Sequence, residues 1–421
     1  MTPFDQVAAR FGFSDMHPAL RECWPASEAL RESGRSDFFK PEPLAETARL
    51  LGMPDEFIRD LLAALPVAKA DRLLYGYLCH CRRLLSDPAA GWPSSGAGFP
   101  VISPESSPAA GMGYALVFLE RVPEALRLFR ERGIPDAIVT DTFSDFRRWA
   151  EAYKKKHGSW GLSNLGWLQM HLRARIVALG RLQFRAEFYP FDFHAWRETR
   201  TGRLLLLAGE GLTFQSSGLF ALAEGAIPSD PGAWRSEYRE GESEVSGMPV
   251  DPRGWAVRQP VRLSRREWEP VLKKGDPTLG IHIPAGGAMD FDACGESLAR
   301  APAFFARYFP RHAVKALTCS SWFLDPQFDG RLPETSNIIR FMREMYLHPL
   351  RGTSDYAIFE RVFNNRRPSA DEAVEGMTTL QRAILDFVRA GGAWRAGASL
   401  LLPGDLRWGS QAYRKMWPDG V

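Results

Sequence analysis

His282, in the run Thr278-Leu279-Gly280-Ile281-His282-Ile283-Pro284, is the residue best suited to acid–base chemistry. An imidazole titrates near neutral pH and can take the proton from an attacking amine or hydroxyl. The run reads as a buried strand, and ligands in open α/β sheets gather at the carboxyl ends of such strands. The alternative is a core histidine bonded to a backbone carbonyl. Cys319 closes a second run of this kind, Ala316-Leu317-Thr318-Cys319. Beside an imidazole its thiolate would be a nucleophile, although a single strand cysteine also serves as a small core residue. Ser320 and Ser321 offer hydrogen bonds to a bound carbonyl, and Trp322 can wall a pocket or fill the core. Asp325, before Pro326, reads as a turn former, with orientation of His282 as its second possibility. Asn337 is placed early in a helix, where it can bond to a loop backbone. Pro284, Gly286 and Gly287 belong to the turn after the first run. Arg181, Gln183 and Arg185 fall on one face of another strand, where the arginines could meet carboxylate or phosphate groups or simply face solvent.

The elements that must position these residues follow from pattern. A strand at Thr278–Pro284, a helix from Asp292 as N-cap to Tyr308, and a strand at Ala316–Cys319 make a βαβ crossover, which predicts parallel neighbours. A further helix is expected at Glu334–Tyr346. Upstream, Leu182, Phe184, Ala186 and Phe188 alternate with Gln183, Arg185 and Glu187, the period of a half-exposed strand. Leu204–Leu207 reads as another strand, and residues 226–260 as loops. Leu162, Leu165, Leu168, Leu172, Ile176 and Leu179 step by three or four, which predicts one helix over Leu162–Leu179. Ala137–Thr140 reads as a short buried strand before a helix at Phe143–Lys156.

The front of the chain is helical. Helices are expected at Pro43–Leu51, Pro54–Leu65, Asp71–Leu85 and Tyr114–Arg132, with a Pro-, Gly- and Ser-rich loop over Asp87–Gly113. The fold class is therefore α/β (α+β): a helical domain over residues 1–134 and a mixed-sheet domain over 135–421.

Composition excludes several functions. A net charge of +3 on 421 residues gives no broad field for nucleic acid or anionic lipid. No segment has the length of a membrane span, and the N-terminus lacks the pattern of a signal peptide. Cys23, Cys79, Cys81, Cys294 and Cys319 are odd in number and scattered, as expected of a reducing compartment, the cytoplasm, and not of a disulfide scaffold. No metal is expected: Cys79-His80-Cys81 lies on a helix, where adjacent residues point about 100° apart and cannot close on one ion. Lys154–Lys156 reads as a solvated helix end. The helix pair Pro43–Leu65 has acidic surroundings that argue against phosphate contact.

Four phrases carry a resemblance: LGRLQF at Leu179–Phe184, GDPTLGIHIPAGG at Gly275–Gly287, ESLARAPAFFARYFP at Glu296–Pro310, and CSSWFLDPQF with LPETSNIIRF between Cys319 and Phe341. Together they resemble a bacterial acyltransferase-domain family that joins a helical N-acyltransferase N-terminal domain to a GNAT-like C-terminal domain. The resemblance implies transfer of an acyl group from acyl-CoA, as co-substrate, to an amine or hydroxyl of a small molecule. His282 would then act as general base, strand-end N–H groups would polarise the thioester, and the helical part would shape the acceptor side. One departure stands out. GNAT donor sites carry a Gln/Arg-x-x-Gly-x-Gly/Ala turn that holds the CoA pyrophosphate, whereas this turn reads Pro284-Ala285-Gly286-Gly287-Ala288-Met289-Asp290. Asp290 and Asp292 then crowd the helix start, so the donor is held differently or has been lost. The latter would leave a non-catalytic small-molecule-binding module; a thioester hydrolase built on Cys319 and His282 is a third reading.

Overall fold

The computed structural model describes residues 3–14, 16–32, 38–87, 92–93, 98–221, 230–364, 366–369 and 375–417. Two compact units divide the chain, Met1–Leu179 and Gly180–Val421.

The first unit is built on helices: α1 (Pro3–Phe11), α2 (Ala19–Glu22), α3 (Trp24–Glu32), α4 (Pro41–Leu50), α5 (Asp55–Ala70), α6 (Arg72–Ser86), α7 (Ala110–Glu131), α8 (Asp136–His157) and α9 (Leu165–Leu172). A short strand, β1 (Ile176–Leu179), follows them. Asp71 starts α6 by accepting from the N–H groups of Leu73 and Leu74, which satisfies donors that the first turn leaves open. In α7 every residue from Met112 to Leu119 is buried, so this part of the helix is enclosed on all sides. His80 on α6 contacts Ser27 Oγ at 2.7 Å and the Leu20 carbonyl at 3.0 Å. It is a core histidine, and burial pushes its pKa down to about 4.

Two expectations fail here. Residues 137–140 form no strand but the first turns of α8, where Val139, Thr142, Phe143, Phe146 and Ala150 are buried at helical spacing. Short apolar runs do not by themselves distinguish strand from helix, and Asp136 in the first turn favours the helix. The single helix expected over Leu162–Leu179 is α9 alone. It stops at Arg173, Ala174 takes a left-handed φ of 48°, and the chain turns into β1. The compact units part between Leu179 and Gly180, downstream of the 134/135 division read from the sequence. The reason is local: Phe143 of α8 packs edge-on to Phe129 of α7, and Thr142 Oγ1 accepts from Ala178 N–H. The stretch read as a loop at 87–113 lies partly outside the described residues.

The second unit opens with β2 (Leu182–Phe188), β3 (Phe193–Glu198), β4 (Leu204–Ala208), β5 (Thr213–Phe214) and β6 (Trp234–Arg235). β7 (Tyr238–Glu240), β8 (Glu244–Gly247), β9 (Pro249–Asp251), β10 (Trp255–Ala256), β11 (Val261–Ser264) and β12 (Trp268–Leu272) come next. The span 226–260, expected as loops, thus holds several short strands; residues 226–229 of it lie outside the described residues. One sheet runs β10-β9-β4-β3-β12 and another β11-β8-β7. Trp196, Leu205, Leu207, Val245, Leu263 and Trp268 form a core between these layers.

The main sheet is completed by β13 (Pro277–His282), α10 (Phe291–Tyr308), β14 (Ala316–Ser321), α11 (Asn337–Glu344), β15 (Tyr346–Thr353), α12 (Asp355–Phe363), α13 (Thr379–Arg389), β16 (Arg395–Leu401) and the short α14 (Ala412–Lys415). Within the second unit this sheet runs β2-β13-β14-β16-β15. β13 and β14 are parallel neighbours, as the βαβ pattern requires; β13–β2, β14–β16 and β15–β16 are antiparallel. The helix expected at Glu334–Tyr346 is shorter, because Met345 is already extended and Tyr346 opens β15.

Candidate active site

The central parallel pair comes apart where the candidate residues lie. β13 and β14 are in register at Thr278/Ala316, Leu279/Leu317 and Gly280/Thr318, and pairing stops there. On its other side β13 stays paired with β2 as far as His282/Gln183, and β14 with β16 as far as Ser321/Gly397. Each strand continues on its outer partner while the inner edges part. The edges facing the gap therefore carry backbone groups that no strand satisfies, and such groups need a partner.

A cavity of about 840 Å³ occupies this opening. Ile281–Pro284 form one rim and Cys319–Phe323 the other, and the loop residues Ala285, Gly286, Gly287 and Met289 extend the first. The remaining wall comes from the C-terminal part of the chain: Ile338, Leu350, Ala357, Val362 and Leu380 are apolar, while Glu360, Arg361, Thr378 and Gln381 add polar groups. Thr378 and Gln381 form a capping box at the start of α13, and Gln381 Nε2 also donates to the Val362 carbonyl, which ties α13 to α12. None of the candidate residues expected from the sequence lies in this region. The Thr-x-x-Gln spacing before an apolar helix was the signal that could have found it.

Register separates the two residues expected to work together. Paired residues of parallel strands share a face, and successive side chains alternate. Ile281 and Cys319 thus lie on one face, His282 and Ser320 on the other. The Cys319–His282 nucleophile–base pair lacks its geometry. Cys319 is also buried, and burial holds its thiol protonated, with the pKa pushed up to about 12. His282 is half-buried and Ser320 exposed, both at the rim.

Glu187 marks the point of divergence. It opposes Thr278 from β2, and a Cβ added at Gly280 would stand 2.2 Å from its Oε1, so glycine there lets the carboxylate lie across the strand. Glu187 accepts from Arg185 Nε at 2.8 Å and from Thr318 Oγ1 at 3.4 Å. Glu187 shares the alternation of Gln183 and Arg185 on this strand, but nothing in its local sequence marks it as a candidate beside them.

The other expected residues separate into lining and supporting groups. Ser320, Ser321, Trp322, Pro284, Gly286 and Gly287 line the cavity. Asn337 is the first residue of α11 and accepts from Arg340, while its neighbour Ile338 reaches the cavity wall. Asp325 is fully buried, and its carboxylate accepts from Arg395 N–H and from Gln327 N–H and Nε2. Burial raises its pKa to about 6. Its bonds fix the turn after β14. Gln183 is buried on β2, not solvated. Arg181 precedes β2 and is turned to the loop after β13: Nε donates to the Ala288 carbonyl (2.8 Å), Nη1 to that of Pro284 (3.1 Å) and Nη2 to that of Gly287 (3.2 Å). The N-cap of α10 is Asp290, not Asp292: its Oδ1 accepts from Ala293 N–H at 2.8 Å. Among the described residues no group of three His, Cys, Asp or Glu could hold a metal ion, and none of the five cysteines is in a disulfide.

A mixed sheet whose central parallel strands diverge around a cavity is the architecture of GNAT-like domains. Residues 176–401 match the family model described as the GNAT-like C-terminal domain, and residues 42–174 match the N-acyltransferase N-terminal domain. The first match spans more than half of the chain, and the protein belongs to that family. No curated protein matches it. Among solved structures the chain is similar to an acyltransferase mutant in complex with octanoyl-CoA, at 22% identity and a TM-score of 0.61, over 95% of this chain and 99% of that one. An acyltransferase in complex with CoA and 10C-teicoplanin matches at 23% identity and a TM-score of 0.61, over 96% and 99%. Another, with decanoyl-CoA and teicoplanin, gives 23%, 0.60, 96% and 99%. At this identity the likeness is one of fold. No helix among the described residues is long and apolar enough to cross a membrane.

Proposed function

We propose that this protein transfers an acyl group from an acyl-CoA to an amine or hydroxyl of a small-molecule acceptor, with the donor lying between β13 and β14. The observation that carries this reading is the end of strand pairing at Gly280/Thr318 beside an 840 Å³ cavity. A pantetheine arm is an extended chain bearing amides, and it can bond to the freed strand edges much as another strand would. The apolar wall of Ile338, Leu350, Ala357, Val362 and Leu380 suits an acyl chain of medium length. Such chains are present on the octanoyl-CoA and decanoyl-CoA bound by the similar structures.

Transfer is direct. His282 takes the proton as the acceptor nitrogen or oxygen attacks the thioester carbon. Backbone N–H groups at the strand ends stabilise the developing oxyanion. The new C–N or C–O bond forms, the C–S bond breaks, and the proton leaves on the CoA thiol. An acyl-Cys319 intermediate has no part, since a buried thiol with a pKa near 12 carries almost no thiolate at neutral pH. Five cysteines outside any disulfide suit the reducing cytoplasm.

The departure from the GNAT phosphate turn favours a second reading, a binding module without donor. Both are tested by measuring CoA release from a series of acyl-CoAs with candidate amine and hydroxyl acceptors, together with calorimetry on CoA itself. Binding of CoA and acceptor-dependent release support the transferase. No heat with CoA or any acyl-CoA supports the module and removes the transferase.

A further inference from the structure

The loop from Ile283 to Met289 lacks the expected motif, yet it is held by a device the sequence did not reveal. One guanidinium, Arg181, spends all three nitrogens on carbonyls of this loop, those of Pro284, Gly287 and Ala288. A planar fork that meets three fixed acceptors specifies a loop shape more strictly than a point charge can. Gly286 at the loop's centre has a φ of 87°, a conformation that favours glycine. Pro284, Ala285, Gly286 and Gly287 all line the cavity mouth. The loop thus has three carbonyl oxygens drawn onto a cation, which removes repulsion toward an incoming anion and leaves a positive charge against the loop. Left-handed residues in a turn are also places where successive backbone N–H groups form anion-binding concavities. The start of α10 is less available, because the Asp290 carboxylate already accepts from Ala293 N–H.

We infer that Arg181 is a positioning residue that shapes the Pro284–Ala288 loop to receive the phosphate-bearing half of the donor, in place of the usual motif and helix start. This rests on the acyl-CoA reading and refines it. The donor's nucleotide end lies against the loop, while the acyl chain runs toward α12 and α13. Arg181 touches no reacting atom, so its loss acts on donor affinity and not on the chemical step.

The test compares an acyl-CoA with the matching acyl-pantetheine thioester, which has the same reacting end and no phosphates. Arg181→Gln is expected to raise KM for acyl-CoA about tenfold or more, leaving kcat within about threefold and KM for acyl-pantetheine unchanged. Arg181→Lys keeps the charge without the fork and is expected to behave like Arg181→Gln. Gly286→Ala, which reshapes the loop without touching Arg181, is expected to give the same selective rise, and thermal melting of each variant reports folding. An unchanged KM for acyl-CoA in Arg181→Gln, a wild-type KM in Arg181→Lys, or equal rises for both donors would each overturn the role of Arg181. If the unmutated protein makes no distinction between the two donors, phosphate recognition by the loop is overturned; if it turns over neither, it is the acyl-CoA reading that fails.

Discussion

The helical unit and the sheet unit each hold a histidine that resembles a catalytic group, and the two differ in everything that matters for chemistry. His171, on α9, has its Nε2 3.2 Å from Asp145 Oδ2 and its Nδ1 3.3 Å from the Trp167 carbonyl. Asp145 also accepts from Trp167 Nε1 and pairs with Arg148. A histidine beside a carboxylate is a familiar catalytic pairing, but this one is enclosed by the rings of Phe143, Phe146 and Trp167. Burial pushes its pKa down to about 4, so it is neutral at physiological pH and serves as a hydrogen-bonding strut. His282 is half-buried on the rim of a cavity where two strands part. Access to a ligand, not the presence of an acidic neighbour, separates a candidate base from a structural histidine.

Exchanging the two histidines for alanine makes the contrast measurable. His282→Ala is expected to lower kcat by about 10²–10⁴-fold, the usual worth of a general base, with an unchanged melting temperature. His171→Ala is expected to do the reverse: activity per folded molecule is kept, while stability falls by about 2–4 kcal/mol from the cavity and the stranded polar groups. Equal effects on both quantities in both variants would erase the distinction.

The next effect is on pH dependence. His80 and His171 in the helical unit, and His348 in the sheet unit, all have pKa values lowered from 6.5 to about 4, with burial as the largest cause. The unfolded chain therefore binds more protons than the folded one between about pH 4 and 6.5. Their contribution to stability is present above about 6.5 and is lost as the pH falls toward 4, by up to ~3 kcal/mol for each. Denaturant melts across this window should show stability falling with acid. His171→Gln should flatten the slope, and an unaltered slope would contradict the burial assigned to His171.

Smaller effects report on the diverging strands. Gly280→Ala sets a methyl against the Glu187 carboxylate and is expected to cost about 1–3 kcal/mol. Adding Glu187→Ala should return part of that loss, and strictly additive losses would mean that the two residues do not meet. Cys319→Ala is expected to change kcat by less than about threefold. A loss of 100-fold would restore the covalent route.

The sequence carried the βαβ unit because its pattern is local: apolar runs of strand length, a helix between them, and the handedness of the connection leave one arrangement. It could not reveal that pairing stops at Gly280/Thr318, since register arises from contacts between distant segments. For that reason His282 and Cys319 looked like partners while lying on opposite faces. For Arg181 the sequence leaves open a carboxylate or phosphate contact and a solvated strand face; its engagement with the carbonyls of Pro284, Gly287 and Ala288, more than a hundred residues away, has no local signature. At residues 137–140 three apolar residues and a threonine fit a strand and a helix equally well, and the packing on α7 decides.

The most direct test is a crystal structure of the protein with a non-hydrolysable acyl-CoA, the thioester sulfur spaced from the carbonyl by a methylene. The expected result is an extended ligand between Ile281–Pro284 and Cys319–Trp322, bonded to the strand edges, with its carbonyl within reach of His282. A ligand bound elsewhere, or a gap that stays closed at saturating ligand, would contradict the assignment of the parted strands as the donor site.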